Sequence, residues 1–466
     1  MTRKSKSILF VGQAFYNTWY LSRELRRLGW QADLINIDPN PANTNFYHGE
    51  DIKFTYTKSE LRLRLNVFVD ALNRYSVFQF ANRGGIYFIK DFQYIGRIKK
   101  FMPVITRIFS FLTKGRSAEQ VLLLMKRYQM LKKNDQDRLE FTNFGFWFYH
   151  KVLYKWLFLT YGENWDIHLI KKAGIKIGYA NNGCLDGALK SSFSKWGPIN
   201  TCKELCRYYN NPDVCSDHSN AEWGEYRNWV ADYQCNIGCN KVDYNDVPEV
   251  FESPWFYCLD TKVWNPDMLV PSNYLLPFSK ETVKIYHSVG NFESRSDASN
   301  KNIKCTHIYL DLIDKYKQEG LPVELIFFHG LPNKVIRFYQ AQADIVVDML
   351  TFGFFGANIR EAMMLGKPTV CYLRPEWLEM MREEIPDYVD ELPVVSATPE
   401  TIDEILRELI HDKEKREEIG IRSRAFAEKW HGSEVAAKYF DRFLQLVMAD
   451  DISKEKIFQI QEEIYK

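Results

Sequence analysis

The stretch Ala343–Leu373, ADIVVDMLTFGFFGANIREAMMLGKPTVCYL, holds the residues best placed for chemistry. Asp344–Leu350 is a short run rich in Val and Ile, the pattern of a buried strand. The loop Gly353-Phe354-Phe355-Gly356 follows, and then a two-turn helix that Gly366 and Pro368 close. Thr369–Leu373 reads as a second strand. A strand, a glycine loop and a helix start in that order present main-chain N–H groups at a helix N-terminus, where a diphosphate binds. The C-terminal half is therefore expected to hold an anionic, nucleotide-like ligand.

Two further groupings invite chemistry. Cys202, Cys206, Cys215, Cys235 and Cys239 crowd into an irregular, Trp-rich segment of about residues 183–265. Four thiolates would make a tetrahedral structural zinc site. Against this, the paired cysteines are separated by three residues where zinc knuckles favour two, and buried reduced thiols are the competing reading. The second grouping is an amphipathic insertion at about 95–160, where Phe101–Thr113 and Phe144–Tyr161 interleave Phe, Trp and Tyr with Lys and Arg. It suits either an interfacial helix on anionic lipid or a cap that buries one face on its own domain.

The elements that must position these groups alternate strand and helix. Ile8–Val11, a helix with Leu21, Leu25 and Leu28 on one face, and Ala32–Ile37 make an opening βαβ unit. Val77–Ala81 and Ile175–Ala180 continue the series, and a second one starts at Val283–Ser288. It runs on through helix Thr306–Gln318, strand Val323–Phe328 and helix Lys334–Ala341 to the glycine loop. Helices over Glu400–Lys429 and Val435–Met448 end it. Such alternation predicts α/β architecture with doubly wound parallel sheets. At 466 residues the chain suits two domains. The boundary falls near residue 270: an N-terminal domain 1–270, a C-terminal domain 271–435, and terminal helices 436–466 expected to pack back on the N-terminal domain.

A net charge of +1 offers no bulk cationic footprint for nucleic acid. The opening Met-Thr-Arg-Lys-Ser-Lys is no secretory leader, and no apolar stretch reaches the ~20 residues of a membrane span. A cytoplasmic protein with reduced thiols, on the inner face of the membrane if the insertion docks there, is the resulting expectation.

Asn300-Lys301-Asn302-Ile303-Lys304-Cys305-Thr306 resembles the N-R-x-I-K-G-T segment of family 4-like (group 1) glycosyltransferases. Asp344–Tyr372 resembles their A-D-I-V-x-D…G-x-x-G…E-A-M-x-x-G-K-P-x-V block. The resemblance implies a GT-B fold, two Rossmann-like domains facing each other across a cleft. It also implies transfer of a hexose, with retention, from a UDP- or GDP-sugar to a glycan or lipid-linked saccharide in polysaccharide biosynthesis, with no cofactor required. Lys304 then aligns with the phosphate-binding Lys, Lys301 takes the place of the usual Arg, and Arg295 is a further cation of that loop. Gly353, Phe354, Phe355, Gly356, Ala357 and Asn358 complete the donor site. Glu361 aligns with the second Glu of E-x7-E, which bonds the ribose. Asn358-x-x-Glu361 is also the spacing of a helix capping box, so both roles stand for Glu361. The first Glu falls on Gly353, and the His of an H-G-x-D-like turn is replaced by Asn181-Asn182-Gly183-Cys184, leaving Asn182 as the catalytic hydrogen bonder and Asp186 as a further one. These departures keep two alternatives open: a non-catalytic nucleotide-sugar binder of the same fold, and a GT-B epimerase.

Overall fold

The computed structural model describes residues 6–12, 16–36, 48–53, 61–81, 104, 107, 111, 114–162, 165–181, 183–184, 186–193, 197–237 and 241–466. Asn182 and Cys239, and most of Phe101–Thr113, lie outside the described residues. The chain is α/β with parallel sheets, and it divides into two compact units: residues 1–13, 29–39 and 49–179, and residues 14–28, 40–48 and 180–466.

In the first unit, strands β1 (Ser7–Val11), β2 (Gln31–Ile35), β3 (Val77–Phe80) and β6 (Lys176–Asn181) run parallel in the order β2-β1-β3-β6. Every residue of β1 and β3 is buried, as strands covered on both faces must be. Helix α1 (Asn17–Arg27), between β1 and β2 in sequence, belongs to the second unit. Helix α2 (Leu61–Arg74) buries Leu65, Val67, Phe68, Val69, Ala71 and Leu72.

The insertion contains more than helices. After α3 (Ala118–Leu124) comes an antiparallel hairpin, β4 (Leu131–Lys133) and β5 (Leu139–Phe141). Strands of three residues, rich in Lys and Glu, leave no alternation to read. They are held instead by α2, whose Asp70 and Asn66 accept from the main-chain N–H of Leu139 and Phe141. Helix α4 (Asn143–Phe148) passes through a π-turn at Tyr149–Leu153 into α5 (Tyr154–Tyr161), and α6 (Trp165–Lys172) leads to β6. Trp156 is buried, so it is core and not part of any docking face.

In the second unit, β9 (Val283–Val289), β10 (Val323–His329), β11 (Ile345–Val347), β12 (Thr369–Cys371) and β13 (Val395–Ser396) form a five-stranded parallel sheet ordered β10-β9-β11-β12-β13. The order reverses between β9 and β11, which creates a crevice outside their carboxyl ends. Helix α7 (Asp217–Val230) precedes β7 (Tyr233–Asn236) and β8 (Val250–Glu252), which pair in parallel. In the series that begins at β9, helix α8 (Thr306–Gln318) follows that strand, α9 (Asn333–Ala341) follows β10, and α10 (Ala357–Met364) follows β11. Then come α11 (Pro375–Glu384), α12 (Ile402–His411), α13 (Lys413–His431), α14 (Ser433–Met448) and α15 (Lys454–Tyr465). Close packing of α10 on α13 needs Gly420, because a Cβ there would lie 2.4 Å from the carbonyl oxygen of Gly366. Arg424 of α13 reinforces the contact by donating to Met364 O and Trp264 O, at 2.5 and 2.6 Å.

The aperiodic segment 183–265 is ordered by a buried guanidinium. Arg227 is fully buried and donates to the carbonyls of Asp186 and Tyr244 and to Asn245 Oδ1, at 2.9, 3.0 and 2.7 Å. Asp186 is itself buried and accepts from Trp223 Nε1 at 2.8 Å. It therefore serves as a structural anchor rather than as a group offered to a sugar.

Candidate functional site

The crevice at the carboxyl ends of β9 and β11 is built by the two loops that leave those strands, residues 290–305 and 348–356. Asn302 staples the first loop. Its Nδ2 donates to Ser296 Oγ, Asn300 O and Thr306 Oγ1, at 3.0, 3.2 and 2.9 Å, and its Oδ1 accepts from Lys304 N at 2.8 Å. Cys305, at the glycine position of the N-R-x-I-K-G-T pattern, has φ of 58°, the left-handed region in which glycine is at ease. His287 of β9 lies beneath, joining Val347 O and Thr306 Oγ1 at 3.3 and 2.9 Å. A carbonyl only accepts, so Nδ1 carries the proton and Nε2 takes the Thr306 hydroxyl. Burial pushes this imidazole down to about 3, and the nearby Lys304 charge adds to that. It remains neutral across the physiological range.

This scaffold aims Lys304 across the crevice. Its Nζ donates to Asp348 Oδ1 at 2.6 Å, with 15% of the Lys304 side chain exposed and none of Asp348. Burial raises the Asp348 carboxyl, while the lysine draws it back. Asp348 Oδ2 is buried without a hydrogen-bond partner, and the main-chain oxygen of the same residue accepts from the Tyr309 hydroxyl. Asp348 is the residue that sequence reasoning missed. Its signal was a carboxylate at the end of the apolar run Ile345–Val347.

Glu361 lies on α10 and is 4% exposed. Its Oε1 accepts from Asn333 Nδ2 at 2.8 Å, and its Oε2 from Gln340 Nε2 at 3.1 Å. Both amides come from α9, and Gln340 Nε2 also reaches Asn358 Oδ1 at 2.8 Å. The capping-box role fails on this geometry: Gly356 is the N-cap, no side chain caps the helix, and Glu361 is held by side-chain amides. Burial pushes its carboxyl up to about 7, against the pull of those hydrogen bonds and of Lys304. Tyr16, the residue before α1, is buried beside it, its phenol raised first by burial and then by the Glu361 charge. The Tyr16 ring packs on Trp264 and Tyr257, with centroids 5.9 and 6.2 Å away.

The glycine loop turns its aromatic side chains inward. Phe354 and Phe355 are buried against Trp377, with centroids 6.3 and 5.9 Å away, and the Arg360 guanidinium lies 4.8 Å over the Phe355 ring. Their rings are core, which leaves the main chain of Gly353–Asn358 and the first-turn N–H groups of α10 as the polar groups of this loop. Gly353 has φ of 96°, and a Cβ there would lie 3.0 Å from Arg374 Cβ. A glutamate at this position would be strained and crowded, a physical reason for the departure from E-x7-E.

Arg295 and Lys301 are exposed on the first loop. That loop is braced by Arg207, which donates to Glu293 O at 2.9 Å, and by the Tyr208 hydroxyl, which donates to Ser294 O at 2.8 Å. The second loop is braced by Thr201, whose hydroxyl donates to Thr351 O at 2.9 Å.

The zinc expectation is corrected. Among the described residues no group of three or more His, Cys, Asp and Glu side chains is placed to hold a metal ion. Cys202, Cys206 and Cys215 lie near one another and near Cys184, where burial first and then the mutual repulsion of their thiolates raise the Cys184 thiol to about 12. Cys235 is buried in β7, its thiol raised by burial. Burial also raises the thiols of Cys202 and Cys215.

Residues 310–426 match the family model described as Glycosyl transferases group 1, a span that includes Glu361 and the glycine loop and begins after Lys304. No curated protein sequence matches the chain. Among solved structures, Anabaena HepE in complex with UDP-glucose is 13% identical, with 94% of this chain and 99% of that one covered, at a TM-score of 0.47. Sucrose-phosphate synthase from Thermosynechococcus elongatus is 12% identical, with 95% and 99% covered, at 0.40. WaaG, a glycosyltransferase involved in lipopolysaccharide biosynthesis, is 10% identical, with 93% and 98% covered, at 0.41.

Proposed function

We propose that the protein is a retaining GT-B glycosyltransferase, moving a hexose from a UDP- or GDP-sugar to a glycan or lipid-linked saccharide. The observation that carries this reading is the convergence of Lys304 and the start of α10 on the crevice where the strand order reverses. As the glycosidic bond breaks, negative charge grows on the departing nucleoside diphosphate. A fixed cation and aligned amides lower that barrier. The lysine ammonium has three N–H donors, so it can keep Asp348 and still reach a phosphate oxygen. Glu361, oriented by Asn333 and Gln340, retains lone pairs for the ribose hydroxyls. Asn182 is proposed as a hydrogen bonder at the sugar, and residues 1–270 as the acceptor side. The family match over residues 310–426 supports the assignment.

A thermal-shift series with UDP-, GDP- and ADP-sugars tests it. A ligand at 100 times its dissociation constant stabilises the folded chain by about 2.7 kcal/mol, so one nucleotide should raise the melting temperature of the wild type and not of Lys304→Ala. No shift with any of the three would end the reading. A second reading, a binder that transfers nothing, draws on Lys304 being engaged by Asp348 and on both Glu361 oxygens being occupied. Release of nucleoside diphosphate from the bound donor, with water as acceptor, would exclude it.

A further inference from the structure

The face of the α4–α5 helical segment that leaves the core is fixed by one glycine. Gly145 lies against the hairpin, where a Cβ would come within 2.2 Å of Met130 O, so this side of α4 must pack inward. Tyr149, Leu153, Tyr154, Trp156 and Leu157 continue the buried side. The opposite side therefore turns outward, with Phe144 62% and Trp147 53% exposed. Their rings stack at 6.0 Å with an interplanar angle of 26°. Lys151 and Lys155 are exposed on the following turns. Lys126, Arg127 and Lys132 are exposed on and before the β4–β5 hairpin, whereas Lys133 is neutralised by Asp137.

Charge is as unevenly distributed as apolar surface. Residues 82–162 hold fifteen Lys and Arg against five Asp and Glu, a net of +10 in a chain of net +1, so the remainder carries −9. An exposed aromatic pair flanked by unpaired cations fits a surface that offers an apolar layer below anionic headgroups. A soluble anion would use the cations and leave the stacked rings in water.

We infer that the outward face of α4–α5, with Phe144 and Trp147 as the inserted groups and Lys151 and Lys155 as the headgroup contacts, docks this protein on an anionic lipid bilayer. The rings enter the headgroup boundary side by side, and the lysines stay at the phosphate level on their long stems. The contact lies in the first unit and is independent of any ligand in the β9–β11 crevice.

Sedimentation of the full chain with vesicles decides this. The wild type should pellet with vesicles of mixed phosphatidylglycerol and phosphatidylcholine, and remain in solution with phosphatidylcholine alone. Phe144→Ser/Trp147→Ser should weaken pelleting with its melting temperature unchanged, since neither ring is buried. Lys151→Glu/Lys155→Glu should weaken it by about tenfold or more, because each basic residue near an anionic surface favours binding severalfold. Brominated acyl chains should quench part of the tryptophan emission of the wild type, and less of it in Trp147→Phe. Wild type that stays in solution with anionic vesicles overturns the inference, as do variants that pellet as the wild type does. A dimer that only Phe144→Ser/Trp147→Ser dissolves, without vesicles present, also overturns it in favour of self-association.

Discussion

Two buried ion pairs sit in the second unit, and they are built to opposite ends. Arg227 lies 3.7 Å from the Asp186 carboxylate and donates to two carbonyls and to Asn245 Oδ1, while Asp186 accepts from Trp223 Nε1. A planar guanidinium fork suits such fixed, many-partner geometry. Lys304 and Asp348 are closer, at 2.6 Å, but the lysine makes this one bond, is partly open, and faces a carboxylate with an orphaned oxygen. A point charge with spare donors at a crevice can take a second anion without unfolding anything. The first pair fixes a loop-rich segment; the second leaves two of the lysine's three donors unused.

Removing the cation from each pair should separate these roles. Arg227→Met leaves Asp186 buried without its partner and should cost ~3–5 kcal/mol in chemical unfolding, the largest loss of this set. Donor binding by the fraction that stays folded should be unchanged. Lys304→Ala should lower transfer by about 10²–10³-fold. Its stability cost should be smaller, since Asp348 beside an open crevice can take up a proton. Equal stability losses in the two variants would mean that the two pairs do not differ in role.

The distinction explains what the sequence made legible. Parallel strands covered on both faces announce themselves as apolar runs, and β1, β3, β9, β10 and β11 stand where Ile8–Val11, Val77–Ala81, Val283–Ser288, Val323–Phe328 and Asp344–Leu350 predict them. The start of α10 is announced by Gly356 and its end by Gly366, with φ of 67°. What stayed hidden is held by side chains acting at long range. The β4–β5 hairpin depends on Asp70 and Asn66, the segment 183–265 depends on Arg227, and Lys304 and Asp348 meet across 44 positions. Periodicity carries no record of such partners. The five-cysteine cluster misled for the converse reason: closeness in sequence put Cys235 with the others, while β7 buries it elsewhere.

Glu361 ties stability in the second unit to pH. Its folded carboxyl is raised from 4.5 to about 7, so the folded state holds a proton that the unfolded chain has already released. Stability from this group is complete below pH ~4.5 and is lost as pH rises to 7, by roughly 3 kcal/mol. Urea unfolding of Glu361→Gln at pH 5 and pH 8 should show that decline removed. Glu252, raised by burial to about 8, should supply a similar decline that persists in the variant. Loss of donor affinity in Glu361→Gln would mark the ribose role, and retained affinity would confine Glu361 to packing.

The smallest effect comes from the two glycines that flank these pairs. Gly187 has φ of 82°, and a Cβ there would lie 2.5 Å from Arg227 Nη2, a guanidinium nitrogen locked by its partners. Gly353 has φ of 96° and would meet Arg374 Cβ at 3.0 Å, a contact that a small shift relieves. Left-handed backbone costs a side chain ~1–2 kcal/mol at either position. Gly353→Ala should therefore lose about that amount in chemical unfolding, and Gly187→Ala visibly more, because the Arg227 cluster cannot shift without giving up hydrogen bonds. Equal losses would mean that the clamp around Arg227 is as yielding as the crevice, and the contrast between a closed ion pair and an open one would not survive.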